Sequence, residues 1–284
     1  MSVPMKQSSA KQYAFSDAEY EELRRIIEQS VGIALASGKR DLVYGRVSRR
    51  VRALGLSSFA EYLARLRKGD QAELEELVNA MTTNVTQFFR ESHHFDYLRE
   101  TFLPEMVQRH QRDRVIRIWS AGCSSGEEPY SIAVVMAEFL DAHPGWRAEI
   151  WATDVDGAIL RQAEEGVYPM ESLKDVSQER LRRFFLRGKG VNEGKVRVGK
   201  SLREIVQFQR VNLIEPWRIR QSFDAVFCRN VIIYFDRAHK KQVVEGFADH
   251  LAPKGHLFLG HSESLHGLTD RYQLIGKTIY RRRD

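Results

Sequence analysis

The stretch "WSAGCSSGEEPYS", residues 119–131, decides how the rest of the chain is read. Just ahead of it, "VIRIWS" (115–120) has the β-branched and aromatic content of a buried strand. "PYSIAVVMAEFL" (129–140) continues as an apolar helix, with Pro129 in the first turn, where proline is tolerated. A strand, a turn of small residues and a helix form the front of a nucleotide-binding unit. Yet Gly122 and Gly126 are the only glycines in the turn, Ser124 stands where a middle glycine is expected, and Glu127 and Glu128 close it. A phosphate group wants backbone N–H donors and positive charge at that point. The turn therefore suits a ligand without phosphate.

Outward from this stretch the same grammar repeats. "AEIWATD" (148–154) reads as a second strand ending on an acid, and "IVQFQRVN" (205–212), "FDAVFCRN" (223–230) and "GHLFLG" (255–260) read as three more. An apolar helix around residues 243–251 precedes the last of them, and "QLIGKTIYRRR" (273–283) reads as a closing hairpin. Such alternation predicts an α/β fold, a doubly wound parallel sheet with helices on both faces. Residues 184–202 break the pattern with two short strand-like pieces around a Gly-rich loop, a small antiparallel β-subdomain inserted in the α/β domain.

The first 80 or so residues read only as helices. Capping boxes stand at Ser16–Glu19 and Ser58–Glu61. Tyr20, Leu23, Ile27 and Val31 recur at helical spacing, as do Leu42, Val43, Val47, Val51 and Leu54 over residues 40–54. A short helix runs from Ser58 through Leu66, and Leu74, Leu77, Val78 and Met81 mark a fourth. The expected division is an all-α N-terminal domain and linker over residues 1–82, then an α/β domain over 83–284.

The chain has 284 residues, 43% of them hydrophobic, enough for a packed core. Its net charge of +6 suggests an anionic partner, but 38 acids are interspersed, so bulk nucleic-acid binding is not forced. Two cysteines without metal-ligand spacing suit a reducing, cytoplasmic setting. The polar first 14 residues lack the apolar centre of a signal peptide, and no apolar run approaches the roughly 18–20 residues that span a bilayer. No membrane insertion is expected.

In a doubly wound sheet, ligands lie beyond the carboxyl ends of the strands. Those ends are residues 120–126, Asp154, Asn212, and Arg229 with Asn230. A carboxylate at Asp154 can accept both hydroxyls of a ribose. Neither G-x-G-x-x-G nor G-x-x-x-x-G-K-[ST] occurs. A nucleoside carrying positive rather than negative charge, S-adenosylmethionine (SAM), suits the residue types, since acids complement its sulfonium and ammonium. The spacing alone equally allows Glu127 and Glu128 merely to favour a helix N-terminus.

"NAMTTNVTQFFRESHHF" (79–95), "SAGCSSGEEPYSIA" (120–133), "ATDVD" (152–156) and "FDAVFCRNVIIYF" (223–235), with "GHSE" (260–263) behind them, resemble the CheR family of chemotaxis receptor methyltransferases over nearly the whole chain. The resemblance implies a class I SAM-dependent methyltransferase domain carrying a small β-subdomain, behind an N-terminal helical domain. It implies methyl transfer to glutamate side chains of chemoreceptors, with S-adenosylhomocysteine as product. Carried over by position, it places Asn84, Thr86, Arg90, Glu128, Asp154, Asn212, Leu213, Arg229 and Asn230 on the cofactor. It also puts Arg90 and Tyr234 at the reacting centre. Against the wider D-x-G-x-G-x-G pattern, Ser120 replaces the acid, and a nearby glutamate is expected to supply that contact; Glu127 and Glu128 are adjacent and both in reach of the role.

A glutamate acceptor needs no general base, because its reference pKa is about 4.3. The Asn-Pro-Pro-Tyr and Asp-Pro-Pro-Tyr patterns that resemble N-methylation are absent; "RNVIIYF" stands in their place. Arg46, Arg49 and Arg50 fall on one helix face, read either as a solvated surface or as a dock for the acidic helical hairpin of a receptor cytoplasmic domain. The β-subdomain offers a strand edge open to an extended peptide, and in some members of the family the resemblance points to, that subdomain binds a receptor's C-terminal tail. His93 and His94, as neighbours on a helix, are expected to diverge, and no metal site is expected. Two other classes compete: a methyltransferase acting on RNA or another protein residue, and a non-catalytic SAM-binding module, which the presence of Arg90 and Tyr234 disfavours.

Overall fold

The computed structural model describes residues 12–284, so most of the polar leader lies outside them. The chain divides into two compact units, one of residues up to Ser30 with Ala34–Met81, the other of Val31–Ile33 with Thr82–Asp284.

The first unit is built on α1 (Asp17–Val31), α2 (Arg40–Ala53), α3 (Phe59–Arg67) and α4 (Gln71–Met81). The capping box before α1 is reciprocal: Ser16 N–H donates to Glu19 at 2.7 Å and Glu19 N–H to Ser16 Oγ at 3.3 Å. At α3 only half of the box forms. Ser58 Oγ accepts Glu61 N–H, but the Glu61 carboxylate turns to the backbone and hydroxyl of Ser57. Leu23, Ile27, Val43, Val47, Val51, Phe59, Leu63, Leu77 and Val78 are buried. Leu42, expected inward, is exposed.

The centre of this unit is polar in one place. Glu73, 3% exposed, accepts a two-pronged bond from Arg50 (3.0 and 2.7 Å) and the Tyr62 hydroxyl at 2.7 Å. Arg50 also meets Glu76 at 3.0 Å, and Arg46 donates to the Met81 carbonyl at 2.7 Å, where α4 ends. Of the three arginines expected to form one free stripe, two therefore hold the unit together, and Arg49 is exposed.

The second unit opens with α5 (His93–Tyr97) and α6 (Leu103–Arg109). There follow β1 (Val115–Ala121), α7 (Glu127–Ala142), β2 (Arg147–Asp154), α8 (Gly157–Glu165), β3 (Val167–Pro169), α9 (Gln178–Phe184), β4 (Phe185–Arg187), β5 (Lys195–Val198) and α10 (Lys200–Arg203). The chain closes with β6 (Val206–Arg210), β7 (Phe223–Cys228), α11 (Arg237–His250), β8 (Leu251–Leu259), β9 (Tyr272–Gly276) and β10 (Ile279–Arg282). The large sheet has the order β6-β2-β1-β7-β8-β10-β9. It is parallel from β6 to β8, and β10 runs antiparallel to both β8 and β9. Strand order reverses between β1 and β7, the point at which such sheets bind ligands.

Period-2 alternation explains why these strands read as unbroken apolar runs. Ile116, Ile118, Ile150, Ala152, Ala225, Phe227 and Phe258 share one core with α5, α6 and α7. Trp119, Trp151, Val226, Cys228, Leu257 and Leu259 share the other with Val243, Val244 and Phe247 of α11. A separate antiparallel sheet has the order β3-β5-β4. Its strand Val167–Pro169 comes from ahead of residues 184–202, and three residues are too few to show a period.

Removing the Arg50 side chain (Arg50→Ala) leaves the Glu73 carboxylate buried without its cation. The expected loss is about 3 kcal/mol in urea denaturation.

Candidate functional site

The register brings the strand ends level. Ala121 pairs with Thr153, and Asp154 with Arg210, so the turn after β1 and the end of β2 open on one edge of the sheet. The turn is fixed to its neighbour: the N–H groups of Gly122 and Cys123 both donate to the Thr153 carbonyl, at 2.7 and 2.9 Å. Gly122 has φ +81°, and a Cβ there would lie 2.4 Å from Val231. Ser124, in the place of the middle glycine, adopts left-handed backbone at φ +50°. Its N–H donates to Asp154 at 2.8 Å and its hydroxyl to the Asn84 carbonyl at 3.2 Å, which offsets the strain. Gly126, at φ +96°, caps α7.

Both acids of the turn are buried, but they face different partners. Glu127 accepts the Ser125 hydroxyl at 2.6 Å. Glu128 accepts the Ser120 hydroxyl at 2.8 Å and Arg229 Nη1 at 3.0 Å. Ser120, in the position of the usual acid, thus holds a glutamate in its stead. Burial raises the pKa of Glu128 from its ordinary value, and Arg229 and Ser120 oppose that rise. Burial likewise raises that of Asp154, against the backbone N–H groups of Asp156 and Ser124. Those two N–H groups take one oxygen each, which leaves each oxygen a further lone pair.

Residues 82–91 lie over this edge. Asn84 Nδ2 and the Thr82 hydroxyl both donate to Asp156, at 2.9 and 2.7 Å, and Phe89 N–H donates to Ser131 at 2.9 Å. Arg229 carries the end of the segment: its Nη2 donates to the Arg90 carbonyl and lies 3.5 Å from Glu91. The Arg90 guanidinium donates to the Val85 carbonyl at 3.0 Å. Asn84, Thr86 and Arg90 are all part-exposed on this segment. Phe89 and Glu91, on either side of Arg90, have φ +53° and +56°.

Beyond β6, Val211 N–H donates to the Asp154 carbonyl at 3.0 Å, which brings Asn212 alongside; Leu213 is buried. Asn212 itself bonds Glu215 and the Ile214 N–H. Beyond β7, Arg229 is buried, Asn230 has φ +59°, and a short helical turn, Ile232–Tyr234, leaves Tyr234 36% exposed. The strand ends and residues 82–91 thus bring Asn84, Arg90, Glu128, Asp154, Asn212, Arg229 and Asn230 to one edge; Arg46, Arg49 and Arg50 belong to the other unit. A groove of about 640 Å³ along β6 includes Asn212 but not Glu128, Asp154 or Arg229. The buried carboxylates, rather than groove volume, mark the place suited to a cation.

Cys123 lies under the turn and Cys228 ends β7; both are fully enclosed, and burial pushes both thiols far up. His93 and His94 do not diverge as expected: although both lie in α5, their rings turn toward each other, with centroids 4.2 Å apart. With Glu91 they bring three ligand-type atoms within 4.8 Å of one another. Burial, followed by Arg229, pulls the His94 pKa down to about 3, and the same guanidinium, 3.5 Å from Glu91, opposes a cation there.

A family described as "CheR methyltransferase, SAM binding domain" matches residues 84–281, and "CheR methyltransferase, all-alpha domain" matches residues 18–82. The chain belongs to the CheR methyltransferase family. It is 44% identical to a chemotaxis protein methyltransferase of Salmonella typhimurium and 42% identical to one of Escherichia coli, each across 94% of this chain and 91% of the relative. It is 42% identical to chemotaxis protein methyltransferase 2 of Pseudomonas aeruginosa, across 95% of both. As a CheR member it is a SAM-dependent methyltransferase, and the residues fit that ligand. Two buried carboxylates stand beside the turn, one in the first turn of α7 and one at the end of β2, and the glycine cradle would be filled by a Cβ.

Two parts of this site escaped the sequence reading. Asp156, left without a role, caps α8 through Ala158 and Ile159 and also anchors Thr82 and Asn84. An acid directly before a helix was its only signal. Glu263 and His261, in the "GHSE" stretch, sit on a turn with no period to read.

Gly122→Ala forces both left-handed backbone and a clash with Val231. It is expected to lower stability by about 2 kcal/mol, read by thermal or urea unfolding.

Proposed function

We propose that this chain transfers the methyl group of SAM to glutamate side-chain carboxylates of chemoreceptor cytoplasmic domains, forming methyl esters in chemotactic adaptation. Two buried carboxylates, Glu128 in the first turn of α7 and Asp154 at the end of β2, where a phosphate ligand would require the opposite charge, carry the reading. The relatives' designation as chemotaxis methyltransferases supports the acceptor class.

When bound, SAM supplies an electrophilic methyl on a sulfonium. Glu128, held by Ser120 and Arg229, complements the positive end of the ligand, which favours it over Glu127, whose carboxylate turns to Ser125. Asp154 accepts the ribose hydroxyls. Asn84, Thr86, Asn212, Leu213, Arg229 and Asn230 complete the enclosure. Arg90 orients the acceptor carboxylate without taking its proton, since a glutamate is already ionised at neutral pH. Tyr234, part-exposed beside the loop after β7, borders the acceptor. Alignment alone contributes about 7–11 kcal/mol to such a displacement, so a site without a general base suffices.

Residues 83–284 form the catalytic part and residues 1–82 the receptor-facing part of this proposal. Arg49 is the exposed remnant of the expected stripe and meets an acidic receptor hairpin. The edge strand β4, with Leu186 exposed, takes a receptor's C-terminal tail. Among the described residues no helix is long and apolar enough to cross a membrane. The reaction is assigned to the cytoplasm, where receptor signalling domains lie.

With methyl-labelled SAM and a receptor cytoplasmic fragment, the label is expected on protein and is released as methanol in base. Base-stable label would overturn carboxyl methylation.

The raised pKa values of Glu128 and Asp154 give a second test. Between the unfolded and folded values the folded chain binds more protons, so their contribution to stability falls as pH rises through that window. SAM binding needs the charged forms and weakens in the opposite direction, as pH falls. Calorimetry should show SAM affinity falling on acidification, with the fall beginning at a pH above the ordinary carboxylate value of about 4.3. Glu128→Gln should bind SAM about tenfold more weakly, with a flatter pH profile.

A further inference from the structure

The turn at residues 260–263 touches two parts of the site at once. Glu263, 5% exposed, accepts four backbone N–H bonds, from Asn230 (2.8 Å), Val231 (3.0 Å), Ile233 (3.2 Å) and its own turn's Gly260 (2.6 Å). A Cβ on Gly260 would lie 2.5 Å from the Asn230 side chain, so the glycine lets the two loops meet. From the other side of the turn, His261 donates its backbone N–H to Glu91 Oε1 at 3.3 Å, and His261 Nδ1 lies 2.8 Å from the same oxygen. Burial raises the Glu91 pKa, but His261 and Arg229 prevail and hold it below the ordinary value, as a carboxylate. Glu91 follows Arg90 directly, in backbone of positive φ that an L-residue adopts only when held there.

We propose that residues 260–263 form a positioning bracket for methyl transfer. Glu263 sets the loop bearing Asn230 and Tyr234, and His261, through Glu91, sets the backbone from which Arg90 reaches the acceptor. His261 is a positioning residue, 69% exposed at its side chain, so its role is not one of core packing. The proposal rests on the assignment of Arg90 to the acceptor carboxylate.

The bond is made by Nδ1, an atom whose place the amide nitrogen of asparagine reaches and that of glutamine overshoots. His261→Ala is therefore expected to lower kcat for receptor-fragment methylation about 10- to 100-fold, the effect of displacing a reacting group by an ångström or less. KM for SAM, the calorimetric affinity for S-adenosylhomocysteine and the unfolding temperature should stay near wild type. Hydrogen exchange of the peptide spanning residues 86–92 should accelerate. His261→Asn should restore both kcat and protection, and His261→Gln should not. Wild-type kcat in His261→Ala overturns the proposal, as does equal impairment in the alanine and asparagine variants, or a parallel loss of S-adenosylhomocysteine affinity. Arg90→Ala run alongside separates the two readings. A fully active Arg90→Ala removes the assignment of Arg90 itself; an inactive Arg90→Ala beside a fully active His261→Ala removes only the bracket.

Discussion

The buried contact between Glu128 and Arg229 joins the first turn of the helix after β1 to the end of β7, across the place where strand order reverses. Most of the site hangs from it. Ser120 fixes the glutamate from below, and the guanidinium continues to the Arg90 carbonyl and to Glu91 while lying 5.8 Å over the Phe95 ring. Such a pair is weak evidence for stability, since both ions lose water on burial. Its value lies in direction. Two glutamates share one arginine, so the local charge is negative before any ligand arrives, and the proposed cationic nucleoside completes the balance.

The same sign of charge limits what the site can do. Acids are kept where a nucleotide-binding fold usually presents donors to phosphate, and the turn is shaped without its middle glycine. Ser124 accepts left-handed backbone because Asp154 and Asn84 each take a bond from it. The backbone N–H at position 124 occupies part of the hydrogen-bonding capacity of the acid that the proposed ribose also uses, and the serine hydroxyl adds what a glycine lacks, a bond that ties the turn to residues 82–91.

The large sheet was legible because both its faces are buried, so its strands appear as apolar runs bounded by turns. The helices of the first unit were legible from capping residues and spacing. What escaped follows from physics. A three-residue strand such as Val167–Pro169 has no period, and Leu42 sits at the margin of its apolar stripe and faces out. Arg50 looked like a surface cation because its partner, Glu73, lies 23 residues away and is itself a charge in the interior. In the site, the strand ends were readable as a group. The bonds that orient them are not, because Asp156 to Asn84, Arg229 to Arg90 and Glu91 to His261 all link residues more than 70 positions apart.

The two cysteines give the molecule an internal clock. Cys123 sits beneath the turn and Cys228 at the end of the neighbouring strand, each sealed from solvent and each with a thiol that resists ionisation. In the closed state neither reacts with an alkylating reagent, because only an exposed thiolate does so. The rate at which either becomes modified therefore counts the excursions in which this edge of the sheet comes apart, at positions the chain already possesses and without an added label.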